Sequence, residues 1–429
     1  MGAFLQKLFV KKQNMKVLQI NTVYLHGSTG RIVKDLKEVS ESNHLEAYAA
    51  FGAEIDNGDL GIFKMQSILR RRINILRTRI YDHHGFYNEK ETRRLIKWMD
   101  EIHPDIIHLH NIHNHYVHVG MLFDYIKKHN IPVVWTLHDC WPFTGHCAYF
   151  DFANCDKWKT MCHDCPSIHD YPPTWFFDRS SRNFKDKKKA FSGVNNLTLV
   201  TPSKWLANLT RDSFLKEFPV RVINNGVDIQ KFCPQRETIK RILGIDGKKM
   251  LLAMASTFDR RKGTQFLKLL PGMLGDNEVL VLVGLAKEQL EQFEMPRCIG
   301  VGRTNSVEEL SAYYAAADVF INPTLEDNFP TTNIEALACG TPVVTFNTGG
   351  SIESVLDGES VVCENDIIYS SVGAIVPKED IKAMLIAVRK ILMKGKSVFS
   401  GACRQKAEKS YDMNKQYMEY INLYNSILK

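Results

Sequence analysis

No apolar run in the 429-residue sequence approaches the ~18 residues of a membrane-spanning helix, so no spanning segment is expected. The opening MGAFLQKLFVKKQN lacks the basic start, long apolar stretch and small-residue cleavage site of a secretory signal. A cytoplasmic protein is therefore expected, with 1–14 as a leader and the first strand beginning near Met15. Ten cysteines are too few, in so long a chain, to form a disulfide scaffold. The loop after the first strand reads GSTG, not G-x-G-x-x-G, which argues against a nicotinamide enzyme. The net charge of +7 comes with no fold-specific nucleic-acid motif, so no nucleic-acid partner is expected. Low-complexity segments are absent too.

What is present is alternation. Short apolar strands ending in polar residues take turns with amphipathic helices, the pattern of parallel sheets. KVLQINTVY (16–24), DIIHLHN (105–111), PVVWTLHD (132–139), LTLVTPS (197–203) and VRVINNG (220–226) read as one set of strands. KKMLLAMAST (from 248), EVLVLVG (278–284), RCIGVG (297–302), ADVFINP (317–323) and TPVVTFN (341–347) read as a second. The expected architecture is α/β, with two Rossmann-like domains facing each other across a cleft. The first spans 15–234, with a cysteine-rich insertion at 140–175. The second spans 235–405, and a helix in 406–429 crosses back. Ligands in such sheets bind beyond the carboxyl ends of the strands.

Three stretches at strand ends carry chemistry. Gly27–Gly30 sits where glycine lets a backbone approach a phosphate or sugar and where the next helix offers free N–H groups. DRRKG (259–263) sets Lys262 at the opening of a helix, a suitable place for a diphosphate. The stretch LEDNFPTTNIEAL places Asp327 in a loop and Glu335 about one turn into a helix starting near Pro330. A carboxylate on an apolar helix is costly unless paired. A ligand would satisfy it: Glu335 accepts from a ribose diol, Asp327 holds a sugar hydroxyl, and Thr331 and Thr332 offer donors at the helix start.

These motifs resemble glycosyltransferase family four, of the GT-B fold, over about 16–425. The resemblance rests on KG at 262–263, NP-T at 322–324, acid-x7-Glu at 327–335, EALACGTPVV, NTGG at 347–350 and NNGVD…F–P at 224–234. TPSKW (201–205) and TLHDCWPFTGHC (136–147) are similar to the colanic-acid and exopolysaccharide branch. The resemblance implies transfer of a sugar from a nucleotide diphosphate sugar, with retention, to a growing polysaccharide or lipid-linked acceptor. By it, Lys262 binds the diphosphate, Glu335 the ribose and Asp327 the donor sugar. His138 lies near that sugar, the Gly27–Gly30 loop near the diphosphate, and backbone groups at 302–304 near the base. No cofactor is required for catalysis.

Two positions depart from the family. Asp327, followed by Asn328, stands where a glutamate followed by glycine is usual, and Glu326 competes for its role. Ser256 stands where an arginine is common, leaving Arg260, Arg261 or Arg303 to supply the second positive charge. The alternative functions are a sugar-nucleotide epimerase or hydrolase of the same fold, or a sugar-nucleotide-binding protein without catalysis.

Two clusters invite a metal. Cys147, Cys155, Cys162 and Cys165 are spaced C-x7-C-x6-C-x2-C, which suits a structural zinc, with Cys140, His146 and His163 as substitutes. The opposing reading is reduced thiols around Trp158. His108, His110, His113 and His115 read as polar residues at a strand end on the acceptor side of the cleft. Finally, ILRRRINILRTRI (68–80) repeats Ile68, Leu69, Ile73, Leu76 and Ile80 at helical spacing among Arg70, Arg71, Arg72, Arg77 and Arg79. Two readings stand: a helix on an anionic membrane at the inner face of the cell membrane, or a solvated helix with one core face.

Overall fold

The structure is a computed structural model, and it describes residues 14–52, 59–235, 238–356 and 361–429. Apart from Asn14, the leader named above lies outside them.

The first sheet has seven strands: β1 (Lys16–Asn21), β2 (Glu46–Phe51), β3 (Ile62–Lys64), β4 (Ile106–Leu109), β5 (Val133–Thr136), β6 (Leu197–Thr201) and β7 (Val220–Val222). Their order is β3-β2-β1-β4-β5-β6-β7, all parallel. The second sheet has eight: β8 (Lys249–Met254), β9 (Glu278–Val283), β10 (Cys298–Val301), β11 (Val319–Asn322), β12 (Val343–Phe346), β13 (Val362–Glu364), β14 (Ile367–Ser370) and β15 (Gly373–Val376). Their order is β10-β9-β8-β11-β12-β15-β14-β13. Only the β13–β14 and β14–β15 pairings are antiparallel. The strands carry apolar residues on both faces because helices cover both. VVWT of β5 and VFIN of β11 are buried at every position.

In each sheet the first strand lies inside and the order turns back beside it, at β1/β4 and at β8/β11. That is where an open parallel sheet leaves a crevice at its strand ends. Asn21 and His110 end or follow the strands of one crevice, Met254 and Asn322 those of the other.

The segment after β15 contains two helices, Ile381–Lys394 and Lys396–Ser410, before Met413–Ile427. Only the last crosses back. Its Tyr417, Tyr420, Ile421 and Tyr424 pack on Val17, Ile106, Val134 and Val200 of the first sheet and on Ile32 and Leu36. His108 Nδ1 meets Tyr424 Oη at 2.6 Å, and Thr136 donates to Tyr420 Oη at 3.2 Å.

Gly27–Gly30 is not a free loop. It forms the first turn of α1 (Gly27–Ser42). The arginine segment folds as α2 (Ile68–Tyr81), and here one reading is corrected: α2 buries Asn74 and Thr78, while Leu69, Ile73 and Leu76 face solvent. Among the described residues no helix is long and apolar enough to cross a membrane.

Candidate functional site

The site is built on the loop between β11 and the helix Thr331–Ala338. Three neighbours fix this loop. Gly263 follows Lys262 with φ +76°, and a Cβ there would lie 2.0 Å from the Pro323 carbonyl oxygen. The glycine of DRRKG is thus needed for packing, which brings its lysine against the loop. Gly349 (φ +50°) is pressed as closely on the Asp327 carbonyl, at 2.2 Å, which accounts for a glycine in NTGG. Thr348 Oγ1 donates to Leu325 O at 2.6 Å.

Lys262 Nζ lies 2.5 Å from Asp327 Oδ2. Burial pulls the lysine below its ordinary value, and the Asp327 carboxylate works against that pull. Eight positions on, Glu335 is 6% exposed on the same helix face as the cleft. It is not left to a ligand alone. Tyr314, from the helix Val307–Ala316, donates its hydroxyl to Glu335 Oε2 at 2.8 Å, and Arg31 of α1 reaches Oε1 at 3.8 Å across the cleft. Burial still raises the Glu335 pKa above the usual carboxylate value, opposed by Arg31 and the Tyr314 hydroxyl. Because Arg31 directly follows Gly30, the GSTG turn faces the acid helix. Thr331 and Thr332 occupy its first turn, half-buried.

Across from this acid pair, a hydrogen-bond chain sets His138. Gln19 donates its amide to Val33 O at 3.1 Å, which turns Oε1 toward His110 Nε2 at 3.2 Å. His110 therefore donates from Nε2 and accepts at Nδ1, where His138 Nε2 lies 3.1 Å away. His138 must carry its proton on Nε2, leaving Nδ1 as an acceptor. Burial lowers the His138 pKa to about 4, so the ring is neutral near pH 7. The neighbouring Asp139 pairs with His113 at 2.7 Å.

Glu326 does not compete with Asp327. It is fully buried, and its carboxylate accepts from the backbone N–H of Phe150, Asp151 and Phe152 at 3.1, 2.7 and 3.2 Å. It ties the cysteine-rich insertion of the first domain to the acid loop of the second. Burial raises its pKa to about 7. Asn328, where the family has glycine, donates to His138 O at 2.5 Å and joins the same seam.

The three candidate arginines separate. Arg303 donates to Ser256 O at 3.3 Å, so its guanidinium stands beside the position that lacks the usual arginine. Arg261 lies over the Tyr149 ring at 4.1 Å and donates to Glu326 O at 3.0 Å, a bridging role. Arg260 is exposed and lines a surface cavity with Thr264, Gln265 and Lys268, apart from the Lys262 pair.

The cysteine and histidine clusters are placed as follows. Among the described residues, no three or more His, Cys, Asp or Glu side chains are placed to hold an ion. Cys147 and Cys165 face one another, and the contact lowers the Cys165 pKa to about 7. Cys162 accepts from Gly145 N–H at 3.1 Å, Cys155 packs at the margin of the same core, and all four are free thiols. The ring of Trp158 lies in that core. His108 is spent on Thr136 and Tyr424, and His115 on Thr78. Arg31 and Tyr314 are the functional neighbours missed from sequence: one lies on the other sheet's first helix, and the other sits unmarked in AYYAAAD.

Comparison with known proteins agrees with the two-sheet fold. The family described as glycosyl transferases group 1 matches residues 235–410, and glycosyltransferase family 4 matches residues 66–231. A putative colanic acid biosynthesis glycosyl transferase, WcaC, of Escherichia coli is 23% identical over 96% of this chain and 100% of its own length. Sucrose-phosphate synthase from Thermosynechococcus elongatus superposes with a TM-score of 0.70 at 16% identity, covering 97% of this chain and 99% of that one. The Anabaena HepE protein in complex with UDP gives 0.64 at 14% identity, covering 96% and 100%.

Proposed function

The chain belongs to the group 1 and family 4 glycosyltransferases, with the GT-B fold, and on that footing we propose that it is a retaining transferase moving a sugar from a nucleotide diphosphate sugar to a cell-surface polysaccharide or lipid-linked saccharide. The observation that carries the reading is the Lys262–Asp327 pair at a strand end, with Glu335 further along the following helix and Arg31 and His138 opposite.

Lys262 meets the leaving diphosphate, where negative charge grows in the transition state and a positioned cation lowers the barrier. Asp327 holds the ammonium in place and accepts from a donor hydroxyl. Glu335 takes the ribose diol, and Arg31 moves from Oε1 as it does so. Arg303, beside Ser256, supplies the second positive charge. His138 accepts a hydroxyl hydrogen at Nδ1. The acceptor oxygen bonds to the anomeric carbon on the face the diphosphate leaves, the carbon–oxygen bond to the phosphate breaks, and the leaving phosphate oxygen takes the acceptor proton. No cofactor enters this sequence. The UDP held by the HepE protein supports a nucleoside diphosphate here.

The test is thermal shift against nucleoside diphosphates and their sugars. A ligand at about 100 times its Kd stabilises by about 2.7 kcal/mol. A shift with one nucleotide, lost in Glu335→Gln, is the expected result. A flat response to every nucleotide, with transfer equally absent, overturns the reading.

A further inference from the structure

α2 is amphipathic in the opposite sense to a core helix. Its inward face is polar: Asn74 donates to Gln66 Oε1 at 3.1 Å and bonds Asn88, and Thr78 Oγ1 pairs with His115 Nδ1 at 2.9 Å. Its outward face is apolar: Leu69, Ile73 and Leu76, at i, i+4 and i+7, are 69%, 45% and 51% exposed. By the same spacing Ile80 continues the stripe, Arg72 and Arg79 flank one side, and Arg70 and Arg77 the other. The stripe does not stop at the helix end. Trp175, Phe176 and Phe177 are 52%, 73% and 52% exposed. The backbone N–H of Trp175 donates to Arg79 O at 2.6 Å, and Phe177 stacks on Tyr81 with centroids 6.0 Å apart. At the other end of α2 a cavity of about 380 Å³ is lined by Lys90, Arg94 and the Arg70–Glu91 ion pair, closed at 3.1 Å.

A run of exposed leucine, isoleucine, tryptophan and phenylalanine marks an interaction surface, and its basic border selects the partner. A second copy of the chain would set arginine against arginine, since a twofold interface places the same patch on itself. An anionic bilayer complements both components. Aromatic and aliphatic side chains enter the boundary between headgroups and acyl chains, and arginines meet lipid phosphates. We propose that α2 and the 175–177 loop dock the protein on an anionic lipid bilayer.

The docking helix is also a wall of the site. Through Thr78, and with Gln66, which lies just before the helix and donates to His115 O at 2.5 Å, α2 holds the 110–118 loop whose His113 pairs with Asp139 beside His138. α2 and this loop therefore connect the lipid-facing side to the acceptor side of the cleft. This deepens the transfer reading, and rests on it only here, by placing the acceptor on a lipid carrier.

The experiment is co-sedimentation of the full chain with vesicles of phosphatidylcholine alone and of equal parts phosphatidylcholine and phosphatidylglycerol. Strong binding is expected only to the mixed vesicles. Arg72→Ser should weaken it severalfold, and Leu69→Ser with Phe176→Ser should abolish it. All three side chains are exposed, so the melting temperature should hold. Equal partitioning of wild type and variants, or equal binding to both vesicles, overturns the proposal. So does concentration-dependent dimerisation abolished by Leu69→Ser with Phe176→Ser, which would assign the face to a second copy. The nucleotide thermal shift separates the two readings. If it persists while vesicle binding fails, only the docking surface falls; if it fails while vesicle binding persists, only the donor site falls.

Discussion

The ammonium of Lys262 and the carboxylate of Asp327 are 2.5 Å apart, so two groups assigned to different parts of the donor are partners of each other. An incoming diphosphate meets a lysine already aimed by a carboxylate and pays little to order it. The acid at this position thereby acts twice, once on the sugar and once on the cation. Lys262→Ala should lower kcat/KM by roughly 10²–10³-fold, the range for losing a preorganised charge-stabilising donor. Steady-state kinetics with the donor varied checks this, and near-normal turnover would refute the diphosphate role.

Tyr314→Phe removes one hydroxyl from the buried Glu335 carboxylate. The acid is then left with Arg31 at 3.8 Å, and burial acts on it with less opposition. A stability loss of about 1–3 kcal/mol is expected from denaturant titration near pH 7, with a higher donor KM. The loss should shrink at acid pH, where Glu335 is protonated in both states.

Glu326 gives a pH signature. Its native pKa is raised from 4.5 to about 7. Between those values the native state holds a proton the unfolded chain releases. The contribution to stability is therefore full below pH 4.5 and is lost as pH rises through about 7. Comparing wild type with Glu326→Gln at pH 5 and pH 8 should show a relative change on the order of 3 kcal/mol in that direction. A pH-independent difference between the two proteins would contradict it.

Two glycines make a matched pair. Gly263→Ala forces a Cβ to within 2.0 Å of Pro323 O at positive φ and should destabilise strongly and weaken nucleotide binding. Gly401→Ala, inside Lys396–Ser410 with open space around the position, should stabilise by about 0.4–1 kcal/mol. Melting temperatures of the two variants moving the same way would sink the packing account.

Much of this was legible in the residues, and the failures have physical causes. β8, β9, β11 and β12 announce themselves as short apolar runs because parallel strands are buried on both faces. β2 goes unread, since half of EAYAAF is alanine, a weak strand former, and β3 is only three residues long. The β13–β14 hairpin is short, with an exposed first strand, and has no apolar run to find. Periodicity identified the stripe on α2 but is silent on which side of a helix the core lies; polar bonds at Asn74 and Thr78 decide that. The acid pair and Lys262 could be named because local motifs carry them. The partners of Glu335 could not, because Arg31 and Tyr314 arrive from elsewhere in the chain. The cysteines have metal-like spacing, yet spacing does not fix the direction of four side chains; Cys147 and Cys165 meet, and Cys162 lies close enough to feel Cys147, Cys155 and Cys165.

The returning helix Met413–Ile427 has a consequence for how the protein comes into being. It covers Val17, Ile106, Val134 and Val200, strand residues synthesised long before it. Until residues 413–427 leave the ribosome, the part of the first sheet that this helix covers stays open to water, with His108 lacking its tyrosine partner. The N-terminal half cannot complete its fold as it is made, and must wait for the C-terminal half to be translated. A nascent chain of this kind exposes an apolar surface throughout synthesis, an opening for a ribosome-associated chaperone and a hazard under crowding.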